Sequence, residues 1–267
     1  MDSEASCDVE FQGDQGGRKA VGYTVDQSLG ALGTPRRASR LCAFRTRETV
    51  LGRASPRGLM SVAPGYGETP VSEDELSMLL PAVRELLGEP VGKASVYDLE
   101  QGVQAQTTAE FMLAVLDGRL DVDDLLTDHF LRDLHRRLYG DIWSWAGSFR
   151  RRELNIGVAP EQIAVELRSS LDTILYRWQH TNDWNHRQLG IAAHAETVRI
   201  HPFTDGNGRT TRLLADLVFL AARDADRPEL YDWDLEKRRY IELLREYDGH
   251  RDPRYLAEFI ETKPLGE

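Results

Sequence analysis

Between residues 201 and 212 the chain reads HPFTDGNGRTTR. His201 carries a side chain whose pKa lies near working pH, as a general base requires. Asp205, four residues on, offers a hard carboxylate oxygen suited to Mg²⁺ that carries a polyphosphate. Gly206 and Gly208 bracket Asn207 and permit backbone conformations that other residues resist. Together with the N-terminus of a following helix, this stretch can aim several N–H groups at one anion. Arg209 and Arg212 are three apart and lie on one side of that helix's first turn, and a guanidinium fork matches phosphate oxygens. A base, a metal ligand, an anion-binding turn and two phosphate clamps in one loop point to chemistry at a nucleotide phosphate.

Each feature alone has a plainer explanation. A helix-ending histidine is usually structural, an Asp-Gly-Asn-Gly run is usually a turn, and paired arginines are usually solvated. Their coincidence in one loop carries the argument. His194 lies seven residues before His201, two turns back on the same helix face. The resulting His-x₆-His-x₃-Asp spacing is not that of a zinc helix, so His194 reads as a supporting or packing residue.

Such a loop needs rigid elements on both sides, and the flanking sequence is helical. Residues 187–200 form an apolar helix running into the motif and residues 211–223 one leaving it. Upstream, Ser72 and Glu75 make a capping box for a helix through Leu87 that Pro81 splits or kinks. Residues 96–116 carry apolar positions in two groups separated by a polar stretch, which argues against one continuous helix. Leu125, Leu126, Phe130, Leu131, Leu134 and Leu138 form a single stripe over 121–138, stopped by Gly140. Trp143 and Trp145 follow and read as core anchors. Residues 149–158 are a β-prone or loop segment, a short hairpin candidate, and residues 160–178, 235–247 and 254–262 are helical. The fold class is therefore all-α, a helical body with one short β-hairpin.

At 267 residues the chain can bury a full core. Its net charge of −11 is a poor basis for sequence-independent nucleic-acid binding. No apolar run approaches the ~20 residues of a membrane span. Two cysteines, Cys7 and Cys42, argue against a disulfide framework and fit a reducing cytoplasm. Residues 1–62 carry a net charge of about +2 (9 basic, 7 acidic) and the rest about −13 (24 basic, 37 acidic). The first 62 residues read as a disordered extension, or as an untranslated stretch ahead of a true start at Met60. Residues 63–267 read as the functional domain with flanking helices.

The 201–212 stretch resembles the signature of the Fic (Fic/Doc) family, HxFx(D/E)GN(G/K)RxxR, at every defined position. The segment GDIWSWAGSFRRRELNIGVAPEQI followed by IHPFTDGNGR looks most like the subgroup called mobile mystery protein B. The resemblance covers roughly residues 65–262 and implies a Fic-type helical bundle with a β-hairpin flap. It implies a protein adenylyltransferase that moves AMP from ATP to a Ser, Thr or Tyr hydroxyl of a target protein and releases pyrophosphate. In that reading His201 deprotonates the hydroxyl and Asp205 holds Mg²⁺ between the α- and β-phosphates. Gly206, Asn207 and Gly208 cradle the α-phosphate, Arg209 grips the β/γ end, Arg212 takes the γ-phosphate, and Phe203 anchors the loop. Asn155 and Ile156 would tip a flap that aligns the target's backbone by strand addition, and Tyr240 would approach the adenine.

Many relatives carry an inhibitory helix with the pattern (S/T)xxxE(G/N). No glutamate in this chain is followed by Gly or Asn, and Thr69–Glu73 and Ser72–Leu76 are only near matches. The resemblance therefore implies a toxin-like protein restrained by a separate antitoxin-like partner that reaches Arg212. Two alternatives stand beside AMP transfer: transfer of another phosphate-containing group, and a nucleotide-binding regulatory module without turnover. The phosphate-transferring branch has Lys where this chain has Gly208, which opposes the first, and the intact His201 opposes the second.

Overall fold

The computed structural model describes residues 73–223 and 227–265. The extension expected over residues 1–62 and the Ser72 cap lie outside the described residues. Among those described, ten α-helices and one two-stranded sheet account for the regular structure.

Pro81 splits the first helical stretch. Helix α1 spans Glu73–Met78, and α2 spans Pro81–Leu87 with the proline at its first position, where a missing N–H costs nothing. Helix α3 is a correction to the sequence reading: it runs unbroken over Lys93–Leu116. The buried face runs on through the polar stretch by way of Thr107, one turn from Val103 and from Phe111, and Glu100 fills a further core position between Val96 and Val103. Both have partners there. The Thr107 hydroxyl donates to the Arg137 carbonyl at 3.2 Å, and Glu100 accepts from the Trp143 indole at 2.7 Å.

The leucine stripe over 121–138 is buried as expected, but it spans two helices, α4 at Val122–Leu125 and α5 at Asp128–Tyr139. Local capping breaks it. Asp121 and Asp124 form a reciprocal capping box, and the Thr127 hydroxyl accepts from the Phe130 N–H at 3.0 Å, which starts α5 afresh. Gly140 follows α5, its N–H bonded to the Arg136 carbonyl at 2.7 Å.

A single 3-10 turn at Pro160–Gln162 leads into α6, Ile163–His180. Helix α7 covers His186–Ile200, opened by an Asn185–Gln188 capping box. Helix α8 covers Asn207–Ala222 and so begins within the motif, four residues earlier than the sequence suggests. Strand β1 (Glu229–Tyr231), α9 (Lys237–His250), α10 (Arg254–Phe259) and strand β2 (Thr262–Pro264) follow. Helices α7 and α8 pack along one another at the centre, with α3, α4 and α5 against α8 and α6, α9 and α10 against α7. Ile191, Ala195, Ala215 and Phe219 from the central pair share a core with Tyr231, Leu243, Tyr247 and Ile260, each large side chain contributing about 1.5–3 kcal/mol by burial.

The strand pair is antiparallel, β1 against β2, with Leu230 opposite Lys263. The expected hairpin over 149–158 is therefore corrected to an irregular loop: its one bridge joins Phe149 to Phe203 in the motif. Its backbone groups are satisfied elsewhere. The Arg150 N–H donates to the Pro202 carbonyl at 2.9 Å, and the Val158 N–H to the Ile200 carbonyl at 3.3 Å.

Candidate active site

His201 is the residue on which α7 ends. Its backbone is left-handed, φ 52° and ψ 62°, with its N–H still bonded to the Thr197 carbonyl at 3.0 Å. That conformation costs a non-glycine about 1–2 kcal/mol, and it turns the chain out of the helix into the loop. Buried Arg150 offsets the strain by donating from Nε to the His201 carbonyl at 2.8 Å. The His201 ring is half-buried. Burial and the Arg150 charge hold its pKa below the usual histidine value. The ring is thus neutral at pH 7, the form that accepts a proton.

Beneath the loop lies a floor that no local motif announces. Phe203 is fully buried and stacks on His135, centroids 3.7 Å apart and rings 9° from parallel. Asn207 closes the loop on itself: its Oδ1 accepts from the Phe203 N–H at 2.9 Å and its Nδ2 donates to the Phe203 carbonyl at 2.8 Å. The Gly147 N–H donates to His135 Nδ1 at 2.8 Å. That contact assigns the ring proton to Nε2, which donates to the Asp205 carbonyl at 3.0 Å. Burial pushes the His135 pKa down to about 4, so the ring is held neutral in this one tautomer.

Gly206 caps α8 at φ 73°. A Cβ there would stand 2.5 Å from the buried Tyr139 ring, so both conformation and space demand glycine. Its carbonyl accepts from the Thr210 N–H at 3.0 Å and the Thr210 hydroxyl at 2.9 Å. The N–H groups of Asn207, Gly208 and Arg209 form the first turn of α8, where no intrahelical acceptor exists. They make an open helix N-terminus at the place where the sequence leads one to expect an anion. The Asn207 side chain is committed to the loop, which leaves its backbone N–H for a ligand.

Asp205 is exposed, its Oδ1 accepting from the Gly206 N–H at 2.6 Å. It lines a cleft of about 350 Å³ with Trp143, Trp145, Glu100 and Arg152. Trp143 and Trp145 stack at 5.5 Å; they anchor the wall and border the cleft together. Among the described residues no group of three His, Cys, Asp or Glu side chains could hold a metal. A single free-standing carboxylate suits Mg²⁺ that arrives on phosphates, not an all-protein cage.

The two arginines differ in their surroundings. Arg209 pairs through Nη1 with the buried carboxylate of Glu100 and lies 5.0 Å from the centre of the Tyr139 ring. No carboxylate among the described residues pairs with Arg212. Asp216, one turn further along α8, spends its oxygens on the Tyr231 N–H and Trp233 indole, both at 3.1 Å, and burial raises its pKa to about 7. His194 is buried with Nε2 at 2.7 Å from the Tyr240 hydroxyl, its pKa lowered to about 3 by burial. His194 also packs against the Trp233 ring, centroids 4.8 Å apart. Asn155 and Ile156 lie exposed in the 149–158 loop. The loop's feet are fixed: Arg150 reaches the carbonyls of Arg152 (3.0 Å) and Val158, and Gly157, at φ 90°, lies so close that a Cβ would stand 2.7 Å from the His201 Cβ.

Comparison with known proteins agrees with this arrangement. Residues 125–219 match the family model described as Fic/DOC. Protein adenylyltransferase fic-1 of Caenorhabditis elegans is 34% identical over 114 residues, which are 41% of this chain and 21% of that protein. Protein adenylyltransferase Fic of Drosophila melanogaster is 33% identical over 98 residues, 34% of this chain and 19% of that protein. The chain thus spans about a fifth of the length of the curated relatives it matches. The crystal structure of a Fic domain containing signaling protein from Bacteroides thetaiotaomicron superimposes with a TM-score of 0.50 at 22% identity, covering 66% of this chain and 74% of that one. At that identity the likeness is one of fold, and it agrees with the helical arrangement around α7 and α8. Over residues 125–219 the chain carries a Fic/DOC family domain.

Proposed function

We propose that this chain is a protein adenylyltransferase, moving AMP from ATP to a Ser, Thr or Tyr hydroxyl of a target protein. The observation that carries the reading is a neutral His201, fixed at the end of α7 beside the open first turn of α8, with Arg209 on that turn and Arg212 on the next. The names of the C. elegans and Drosophila relatives support it.

In this reading the neutral His201 ring takes the proton of the target hydroxyl as its oxygen attacks the α-phosphorus. The bond from that phosphorus to the bridging oxygen breaks, and pyrophosphate leaves. The N–H groups of Asn207 and Gly208, with the backbone turn at Gly206, meet the charge that develops on the α-phosphate oxygens. Arg209 holds the β/γ end and Arg212 the γ-phosphate. Asp205 would hold a Mg²⁺ brought by the nucleotide, which supplies neutralisation of phosphate charge. Nearly all the chemistry asked of the protein is positioning and charge stabilisation.

The exposed Asn155 and Ile156 would meet the target's backbone along the loop's edge. Arg212, with no carboxylate partner among the described residues, is the docking point for a separate antitoxin-like inhibitor. The GDIWSWAG and HPFTDGNGR segments support placement in the mobile mystery protein B subgroup. A cytoplasmic location fits the need for ATP, and no helix among the described residues is long and apolar enough to cross a membrane.

The test is incubation of the purified chain with Mg²⁺ and ATP labelled at the α or the γ phosphate, in a lysate. Protein-bound α-label that disappears in His201→Ala is the expected result. Label transferred from the γ position alone overturns AMP transfer, and ATP binding with no label points to a regulatory module.

A further inference from the structure

We propose that Glu100 is a positioning residue for Arg209, fixing the inner edge of its guanidinium so that the outer N–H groups face the phosphates. The assignment rests on the adenylyltransferase reading above. Glu100 stands on α3, 109 residues from Arg209, and is 2% exposed. One carboxylate oxygen accepts from the Trp143 indole at 2.7 Å, and the other pairs with Arg209 Nη1. The Tyr139 ring, 5.0 Å away, supports the guanidinium's face. Edge and face are thus both held, while 35% of the Arg209 side chain stays open.

The burial of Glu100 favours positioning over blockade. A carboxylate that blocked the phosphate site would stand on the open side of Arg209. Glu100 is instead buried in the wall of the cleft that Asp205 lines, held by an indole on a different segment, and leaves part of the Arg209 side chain open. An arginine carries five N–H donors in a rigid fork, so engaging one leaves the others for a ligand and limits the freedom lost when phosphate binds. The buried carboxylate in turn depends on the pair, because an unpaired buried charge is costly. Helix α3, continuous through this point, delivers the carboxylate from a rigid element.

The experiment is a double-mutant cycle on the full chain, titrating ATP with Mg²⁺ by calorimetry. Glu100→Asp keeps the charge but draws it back by one methylene. Binding is expected to weaken about tenfold in the wild-type background, the scale of one charge-assisted hydrogen bond. With Arg209→Ala also present, the same change should alter binding less than twofold. Trp143→Phe loosens Glu100 without touching either charge, and should produce a smaller loss that also vanishes without Arg209. Thermal melts identify any variant that fails to fold: where Glu100→Asp does, the Trp143 cycle decides, and where Arg209→Ala does, Arg209→Gln serves as the second background in both cycles. Equal losses in both backgrounds would make Glu100 a plain structural residue and overturn the assignment. Tighter binding in Glu100→Asp would make it a competitor of the phosphate and overturn it as well. Unchanged binding in both single variants also sinks it, whereas wild-type protein that binds no ATP sinks the adenylyltransferase reading and this assignment together.

Discussion

His135→Phe is the perturbation that isolates the floor of the motif loop. Phenylalanine keeps the flat ring that stacks on Phe203 at 3.7 Å and removes both ring nitrogens. The Asp205 carbonyl and the Gly147 N–H each lose a partner. An unsatisfied buried polar group costs about 1–3 kcal/mol, so the variant is expected to lose about 2–6 kcal/mol at pH 7. The pH dependence makes the test sharper. Burial holds the His135 pKa at about 4, below its unfolded value near 6.5. Between these two values the unfolded chain binds a proton that the native chain refuses. The neutral ring's contribution is therefore present above pH 6.5 and lost as pH falls toward 4, at roughly 1.4 kcal/mol per pH unit. The phenylalanine variant lacks this titration while every other group titrates as before. The stability gap between wild type and variant should thus shrink by about 2 kcal/mol from pH 7 to pH 5. Urea unfolding at the two pH values measures it. A gap that stays constant or widens refutes the idea that His135 is neutral and bonded through both nitrogens.

Gly206→Ala should cost about 2–4 kcal/mol, from a left-handed backbone and from overlap with the Tyr139 ring; a thermal melt equal to wild type would refute this. The acid limb of kcat/KM for AMP transfer should fall below pH 6.5, because burial and Arg150 lower the His201 pKa; a pH–rate profile with its limb at or above 6.5 contradicts the environment described.

The chemistry was legible because the groups that would perform it are contiguous and polar, and glycines mark where the backbone must turn. The groups that hold them in place were not legible. His135 reaches Asp205 across 70 residues, Arg150 reaches His201 across 51 and Glu100 reaches Arg209 across 109. Each occupies an ordinary-looking position: His135 lies within the leucine stripe of α5, and Glu100 sits among the apolar positions of the first half of α3. A helix period shows which positions are buried but not that a charged residue fills one in order to meet a distant partner. The 149–158 segment was misjudged for a related reason. Its β-prone residues suggested a ladder, but the Arg150 side chain and the end of α7 satisfy the backbone instead. The apolar stripe over 121–138 located the core correctly and missed the break at Thr127, which one hydroxyl determines.

The 149–158 loop is an arch with two tied feet and an open crown. Arg150 and Val158 are bonded to the backbone around His201, while residues 151–157 are all exposed. Arg152 is drawn inward, its carbonyl accepting from Arg150 and the residue lining the cleft, while residues 153–156 stand exposed at the crown. That span can be exchanged like a cassette, changing length or lettering while the histidine stays in place. Divergence among such proteins should therefore concentrate in these four positions, with new recognition arising on an unaltered chemical base.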